Sequence, residues 1–385
     1  MNKISEKINF QFRIIILLLV QFYITFILLS KSKNHLAIIS FDDIFNISIK
    51  TNTILIIELN EFHHECTPGY AKYFIDLGYN VDSLIHVSGI DSFSLFNEVE
   101  NVRLLTFKTI NQIEFNAKNL SIFIKKYDYV LLQSNYIINI NIYEKLEIFK
   151  LNNTFFVSHE LVLFDKHYSN YSQYLNPNRI WTLCNFTKGL RVNPHYFGHR
   201  KIKNKNDRIR FFLTSTNNRN YSLLIKSVEL LQKEKYNFEL IITGRSSVFN
   251  SSYIPSTLND TFLFKLGVSY SKLYKAVESS DFIIIPLDPN NRYDDIFKNS
   301  KVTGSLQLML GFLKPVIINQ EFAFSYNLNK KNSLIYTNND LYNTMKKAIL
   351  LNNKEYKYLQ KHLLRLEKEI YKTSINNIKK EIIKL

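Results

Sequence analysis

The chain has 385 residues, 46% of them hydrophobic, and a formal net charge of +16. That length suits two domains of common size plus terminal extensions, and the apolar fraction supplies two cores. Two cysteines, Cys66 and Cys184, exclude a disulfide framework and form no metal-ligand pattern, while scattered Lys and Arg without a recognised module argue against nucleic-acid binding.

Residues 14–30 carry no charge and are rich in Ile, Leu and Phe, with Arg13 on one side and Lys31 and Lys33 on the other. The stretch is near the lower length limit for a membrane-spanning helix, and its flanking cations suit headgroups. Residues 1–33 are therefore expected to be a hydrophobic helix anchoring the chain to a membrane. A cleaved signal peptide and a packed helix are the alternatives, and the similar charge on both sides gives no orientation.

Residues 35–50 read as a short stem. The run 53–59 (TILIIEL) is a strong strand, followed by the loop ELNEFHHEC and a helix opened by Thr67-Pro68-Gly69 and stopped at Gly78. Residues 81–86 return as a second strand, completing a βαβ unit whose first loop lies where open α/β sheets place ligands. Further strands are expected at 102–107, 129–133 and 154–158, with helices at about 117–126 and 142–149. The polar, basic stretch from 187 to 208 reads as a linker.

A second α/β unit follows, with strands at 209–215 and 238–243 and a helix at about 219–232. Residues 262–265 form a short strand closed by Gly267, and Ser269 caps a helix in which Leu273, Ala276 and Val277 recur at helical spacing. The continuous apolar run 282–287 suits a strand buried on both faces of a parallel sheet. Gly304-Ser305 then opens an apolar helix ending near Leu313, before Pro315 starts another buried strand. A strand at 334–336 and helices at about 340–351 and 355–384 complete the chain. The expected division is 51–186, 208–352 and a carboxyl-terminal helix at 353–385.

The string Leu266-Gly267-Val268, then Leu273-Tyr274, Ser280-Asp281 and Pro286, followed by Gly304, Met309, Gly311 and Lys314-Pro315-Val316-Ile317, resembles the donor-nucleotide domain of GT-B-type glycosyltransferases. The likeness is to the glycosyl transferases group 1 family, which includes capsule and lipid-sugar transferases, and is specific over about 208–336. It implies an α/β fold of two Rossmann-like domains facing across a cleft, with a carboxyl-terminal helix crossing back to brace the first. It further implies transfer of a sugar from a nucleotide-diphospho sugar to an acceptor, which the sequence does not identify as glycan, lipid or protein. The basic charge suits attraction to an anionic membrane surface and to a nucleotide-sugar diphosphate, the alternative being that Lys is simply a common surface residue in this sequence.

A metal-free enzyme of this kind meets the leaving phosphate's charge with cations and helix amino-termini. The resemblance places Arg219 on the diphosphate, backbone N–H groups at Gly304 and Ser305 beside it, and Gly244 and Gly267 along the nucleotide. Lys226 is expected on the helix surface. No cofactor or divalent metal is implied, because the chain has no D-x-D triplet and the adjacent His63 and His64 cannot easily share an ion. FFVSHE delivers His159 and Glu160 to a strand's carboxyl end, resembling the family's histidine beside the reacting sugar, with Glu160 close enough in sequence to orient it. His64, and less favourably His63, compete from the first loop as a base near neutrality.

One departure bears on function. Retaining members carry two glutamates where this chain has Ser300 and Leu308, so their hydroxyl clamp is missing or replaced. Asp288, Asp294 and Asp295 lie in the preceding loop. The alternatives are a catalytically weak glycosyltransferase-like binding subunit and a nucleotide-sugar epimerase on the same fold. A dinucleotide-binding dehydrogenase is disfavoured by the lack of G-x-G-x-x-G in the first loop.

Overall fold

The structure is a computed structural model describing residues 36–134, 140–169, 177–184, 189–195, 198–214, 219–244, 254–337 and 340–383. The hydrophobic segment 14–30 lies outside the described residues. Among those described, no helix is long and apolar enough to cross a membrane.

Two parallel sheets organise the chain. The first contains β1 (Ala37–Ser40), β2 (Thr53–Glu58), β3 (Asn80–His86), β4 (Val102–Phe107), β5 (Tyr129–Leu132), β6 (Thr154–Ser158), β7 (Ile180–Thr182) and β8 (Leu190–Arg191). Their spatial order is β1-β4-β3-β2-β5-β6-β7-β8. The second sheet runs β11-β10-β9-β12-β13-β14, where β9 is Ile209–Thr214, β10 Phe238–Gly244, β11 Phe262–Leu266, β12 Phe282–Ile285, β13 Val316–Asn319 and β14 Leu334–Tyr336. Both contain the doubly wound order 3-2-1-4-5-6, which reverses between β2 and β5 and between β9 and β12. Ligands bind open α/β sheets at the carboxyl side of such reversals.

The burial pattern explains why these runs are strands. Every residue of β2, β6, β12 and β13 is buried, as in a sheet covered by helices on both faces. All eight residues of the helix Ser305–Phe312 are buried too. That helix stops at Leu313, whose φ of 51° is left-handed, just before Pro315.

Three expectations change. The stem expected at 35–50 instead contains β1, paired in parallel with β4, and a turn that buries Phe41 and Ile44. Within the stretch expected as linker, Leu190–Arg191 adds an edge strand beside β7. The helix expected from Arg219 begins at Ser222, whose N–H donates to the Asn220 side chain.

The helix Asn353–Ile383, 31 residues long, extends about 46 Å along both domains. Near its start Tyr356 Oη donates to Asp281 O at 2.8 Å, and Gln360 Nε2 to Leu313 O at 3.2 Å, both in the second domain. Further along, Ser374 Oγ accepts from Asn193 N at 3.0 Å and Asn377 Nδ2 donates to Arg191 O at 2.9 Å, both in the first. One rigid element thereby fixes the relative position of the two sheets.

Candidate functional site

Loops at the carboxyl ends of β2, β3, β9, β10, β11 and β12 converge on a cavity of about 780 Å³ between the domains. A second cavity, about 410 Å³, adjoins it and shares His63, Thr303 and Gly304 with it. The two form one cleft with a different chemistry on each wall.

On the second-domain wall, Gly244 and Gly267 border the larger cavity. Gly267 has φ 62° and donates its N–H to Gly244 O at 2.8 Å, a turn that a side chain would strain. Gly304 stands at the entrance of the buried helix, and nothing lies within 4 Å of the position a Cβ would take there. Ser305 Oγ is buried and shares a hydrogen bond with Thr214 Oγ1 at 3.0 Å. The smaller cavity is bordered by Arg219 and Lys301. Both cations lie over the ring of Phe297, at 4.4 and 5.7 Å from its centroid. A helix amino-terminus with two cations at its mouth suits an anion.

Each of those cations already has a carboxylate. Arg219 forms a buried ion pair with Asp294, whose other oxygen accepts from Asp288 N at 3.0 Å. Burial works against both charges, lowering the guanidinium and raising the carboxyl, and the pairing opposes it. Lys301 Nζ reaches across the cleft to Glu160 at 2.6 Å. Backbone contacts reinforce that crossing, with Leu161 N donating to Ser300 O at 2.9 Å.

The first-domain wall presents His63, whose φ of 68° is unusual for a non-glycine residue and is often stored at functional sites. Its ring stacks on His159, and its Nδ1 lies 3.7 Å from Glu65. Glu65 also accepts from Tyr270 Oη of the second domain at 3.1 Å. Burial alone would raise the Glu65 carboxyl, but His63 and that hydrogen bond outweigh it and hold it down at about 2. His159 Nε2 lies 3.0 Å from Gln133 O, so that nitrogen carries the proton and Nδ1 is left as an acceptor. Burial, and then the neighbouring His63, lower the His159 imidazole to about 3, so it is neutral at physiological pH.

Behind His159 lies Glu58, fully buried at the end of β2. Its Oε1 accepts from Asn60 N and Nδ2, and its Oε2 contacts Gln133 Nε2 at 3.2 Å and the Ser134 hydroxyl. Burial pushes this carboxyl up to about 7, against the pull of His63 and its hydrogen-bond donors. The sequence reading missed Glu58, Ser134 and Lys301. The one available signal for Glu58 was a carboxylate closing an otherwise apolar strand.

The predicted residues separate accordingly. Arg219, Gly244, Gly267 and Gly304 line the cleft, with Ser305 directly behind Gly304, and His159 adjoins it through His63. His64 does not line the cleft. It is fully buried against Gly89, where an added Cβ would lie 2.6 Å from its ring, and both ring nitrogens lack hydrogen-bond partners. Burial lowers its imidazole to about 4. Glu160 does not orient His159, because it points to Lys301, while Gln133 and Ser134 hold the ring. Of the two positions that lack glutamate, Leu308 is in the cavity wall and Ser300 is buried in the domain contact. Lys226 is exposed on its helix, and among the described residues no group of three or more His, Cys, Asp or Glu is gathered to hold a metal ion.

No protein-family profile and no curated protein matches the sequence. Solved structures match across most of the chain. A glycosyltransferase from Rickettsia africae ESF-5 is 15% identical, with a TM-score of 0.57, covering 87% of this chain and 100% of its own. HepE of Anabaena, in complex with UDP and glucose, is 11% identical, with a TM-score of 0.53, covering 86% of this chain and 100% of its own. The fold is thus the two-domain GT-B arrangement, two parallel-sheet α/β domains facing across a cleft.

Proposed function

We propose that this protein is a glycosyltransferase that moves a sugar from a nucleotide-diphospho sugar to an acceptor hydroxyl. The observation that carries the reading is the asymmetry of the cleft. Its second-domain wall offers Gly304 at a buried helix entrance beside Arg219 and Lys301, and its first-domain wall offers a stacked histidine pair. The second-domain wall suits a leaving diphosphate and the first-domain wall a hydroxyl that must lose a proton.

In this reading the nucleotide lies along Gly244 and Gly267, its phosphates against Gly304 and Ser305. Arg219 and Lys301 supply the countercharge that a metal supplies elsewhere. Each must share or exchange its carboxylate for phosphate, so Asp294 and Glu160 tune donor affinity. His159 accepts the proton of the attacking hydroxyl at Nδ1, with His63 framing the ring. Leu308 and Ser300 cannot clamp a donor hydroxyl as carboxylates would.

Residues 1–33 fit a membrane tether that takes no part in the chemistry. The reading is tested by thermal shift of the protein with UDP, GDP, ADP and CMP, followed by release of the matching nucleotide from its sugar conjugates. UDP heads the panel because HepE was solved with UDP and glucose. A nucleotide binding the native state raises the melting temperature; no shift with any nucleoside diphosphate would sink the proposal.

A further inference from the structure

We propose that Glu58, Ser134 and His159 form a proton relay, in which His159 receives the proton of the attacking hydroxyl and Glu58 stores it. The inference rests on the glycosyl-transfer reading above and adds a positioning residue to it. Three contacts place the groups in series. Ser134 Oγ is hydrogen-bonded to Glu58 Oε2 and lies 3.5 Å from His159 Nε2, while Asn60 and Gln133 hold the carboxylate from its other sides. Tyr143 Oη fixes Ser134 by donating to its carbonyl at 2.9 Å.

The relay answers a chemical difficulty. An imidazole buried and lowered to about 3 can take a proton in passing but cannot keep it at neutral pH, whereas the buried Glu58 carboxyl holds one up to about 7. The acceptor O–H bond breaks as its oxygen bonds to the anomeric carbon, and the sugar–phosphate bond breaks with its electron pair leaving on the diphosphate. The acceptor's proton goes to His159 Nδ1, the Nε2 proton to Ser134 Oγ, and the serine's own proton to Glu58 Oε2. His159 stays neutral, having exchanged tautomers. The Gln133 carbonyl, 3.0 Å from Nε2, favours return of the proton there, so the relay resets when product leaves.

Other charged and titratable groups face the relay. His63, Cys66 and Tyr70 approach Glu58 from the loop and helix after β2, and His63, Glu65 and Lys301 approach His159, the last paired with Glu160. All are on hand in every variant below, so a change confined to Ser134 or Glu58 reads the relay itself.

The test compares wild type, Ser134→Ala, Ser134→Thr and Glu58→Gln as full chains. Nucleotide release from UDP-glucose and GDP-mannose is followed against pH, with UDP and GDP affinity measured alongside. Ser134→Ala and Glu58→Gln should lower turnover about 100-fold, the low end for a positioned acid–base group, with nucleotide affinity within twofold of wild type. Ser134→Thr should recover most of the rate. Wild-type turnover should fall below a pH near 7, where Glu58 is already protonated, and Glu58→Gln should lack that limb. Unchanged turnover in Ser134→Ala overturns the relay while leaving glycosyl transfer intact. If wild type releases no nucleotide, the functional reading fails and the relay is read separately, from the ring-nitrogen NMR shifts of ¹⁵N-histidine-labelled protein, His159 being assigned with His159→Gln. The relay requires a tautomer change at His159 near pH 7 that Glu58→Gln abolishes; identical titrations in both proteins overturn it.

Discussion

His63 lies stacked on His159, their ring centroids 4.3 Å apart and their planes 27° from parallel. The pair joins two loops far apart in sequence, one after β2 and one after β6, at the place where the first sheet reverses order. His63 borders both cavities, whereas His159 is held from behind by Gln133 and Ser134. The outer ring therefore shapes the cleft, and the inner ring has the fixed tautomer a base needs.

His159→Ala should lower sugar transfer by roughly 100- to 10,000-fold, the range for a positioned acid–base group, while leaving nucleotide affinity nearly unchanged. His63→Phe keeps a stacked ring without nitrogens and should retain most of the turnover. Steady-state kinetics on both variants checks the assignment. An active His159→Ala beside a dead His63→Phe would transfer the role of base to His63.

Arg219→Ala should weaken binding of a nucleoside diphosphate by about 1.5–3 kcal/mol and leave the nucleoside unaffected, because a charge-assisted phosphate contact is lost. Asp294→Asn, which loosens the ion pair on that guanidinium, should move affinity for the diphosphate the other way. Calorimetric titration with UDP and uridine separates the cases. Equal losses for both ligands in Arg219→Ala would mean that Arg219 acts through folding.

Glu58→Gln should stabilise the protein more at pH 8 than at pH 5. The folded-state carboxyl titrates at about 7 instead of 4.5, so the folded chain binds this proton more tightly than the unfolded chain. Stability from that group is present below pH 4.5 and is lost as pH rises through 7, a difference of about 3 kcal/mol. Thermal melts of both proteins at the two pH values measure it. A constant difference between them would show that Glu58 is ionised without penalty.

His64 should have the opposite dependence. Its imidazole is lowered from 6.5 to about 4, chiefly by burial, so the unfolded chain takes the proton first and stability falls as pH drops from 6.5 to 4. His64→Leu, which fills the space beside Gly89 and removes two unpaired nitrogens, should melt less steeply with acid and keep transfer activity. Loss of transfer with a normal melting temperature would restore His64 as a site residue.

Deleting residues 1–33 should release the protein into the soluble fraction with its nucleotide binding intact. Fractionation of cells expressing each form, followed by the nucleotide thermal shift, tests both halves. A truncated protein that stayed with membranes would move the attachment to the basic surface of the folded domains.

Sequence by itself determined the layering of this protein. Runs such as Phe282–Ile285 and Thr154–Ser158 are apolar on both faces, and only a sheet covered on both sides buries them. Local chemistry also marked the glycine turn at Gly267 and the helix entrance at Gly304, because backbone conformation there depends on neighbours in the chain. The short strands Ala37–Ser40 and Leu190–Arg191 escaped that reading, since two to four residues carry no period and exist only through pairing with a long strand. Tertiary structure alone decided which of two adjacent histidines faces the cleft: the left-handed turn at His63 sends its ring outward onto His159 and leaves His64 facing inward against Gly89. It alone chose partners for the charges as well, setting Arg219 on Asp294, 75 positions away, and Glu160 on Lys301 of the other domain. The role of Glu58 was decided there too, because a carboxyl's proton affinity is set by what surrounds it in space, and residues 58 and 134 meet only when β2 and β5 lie side by side.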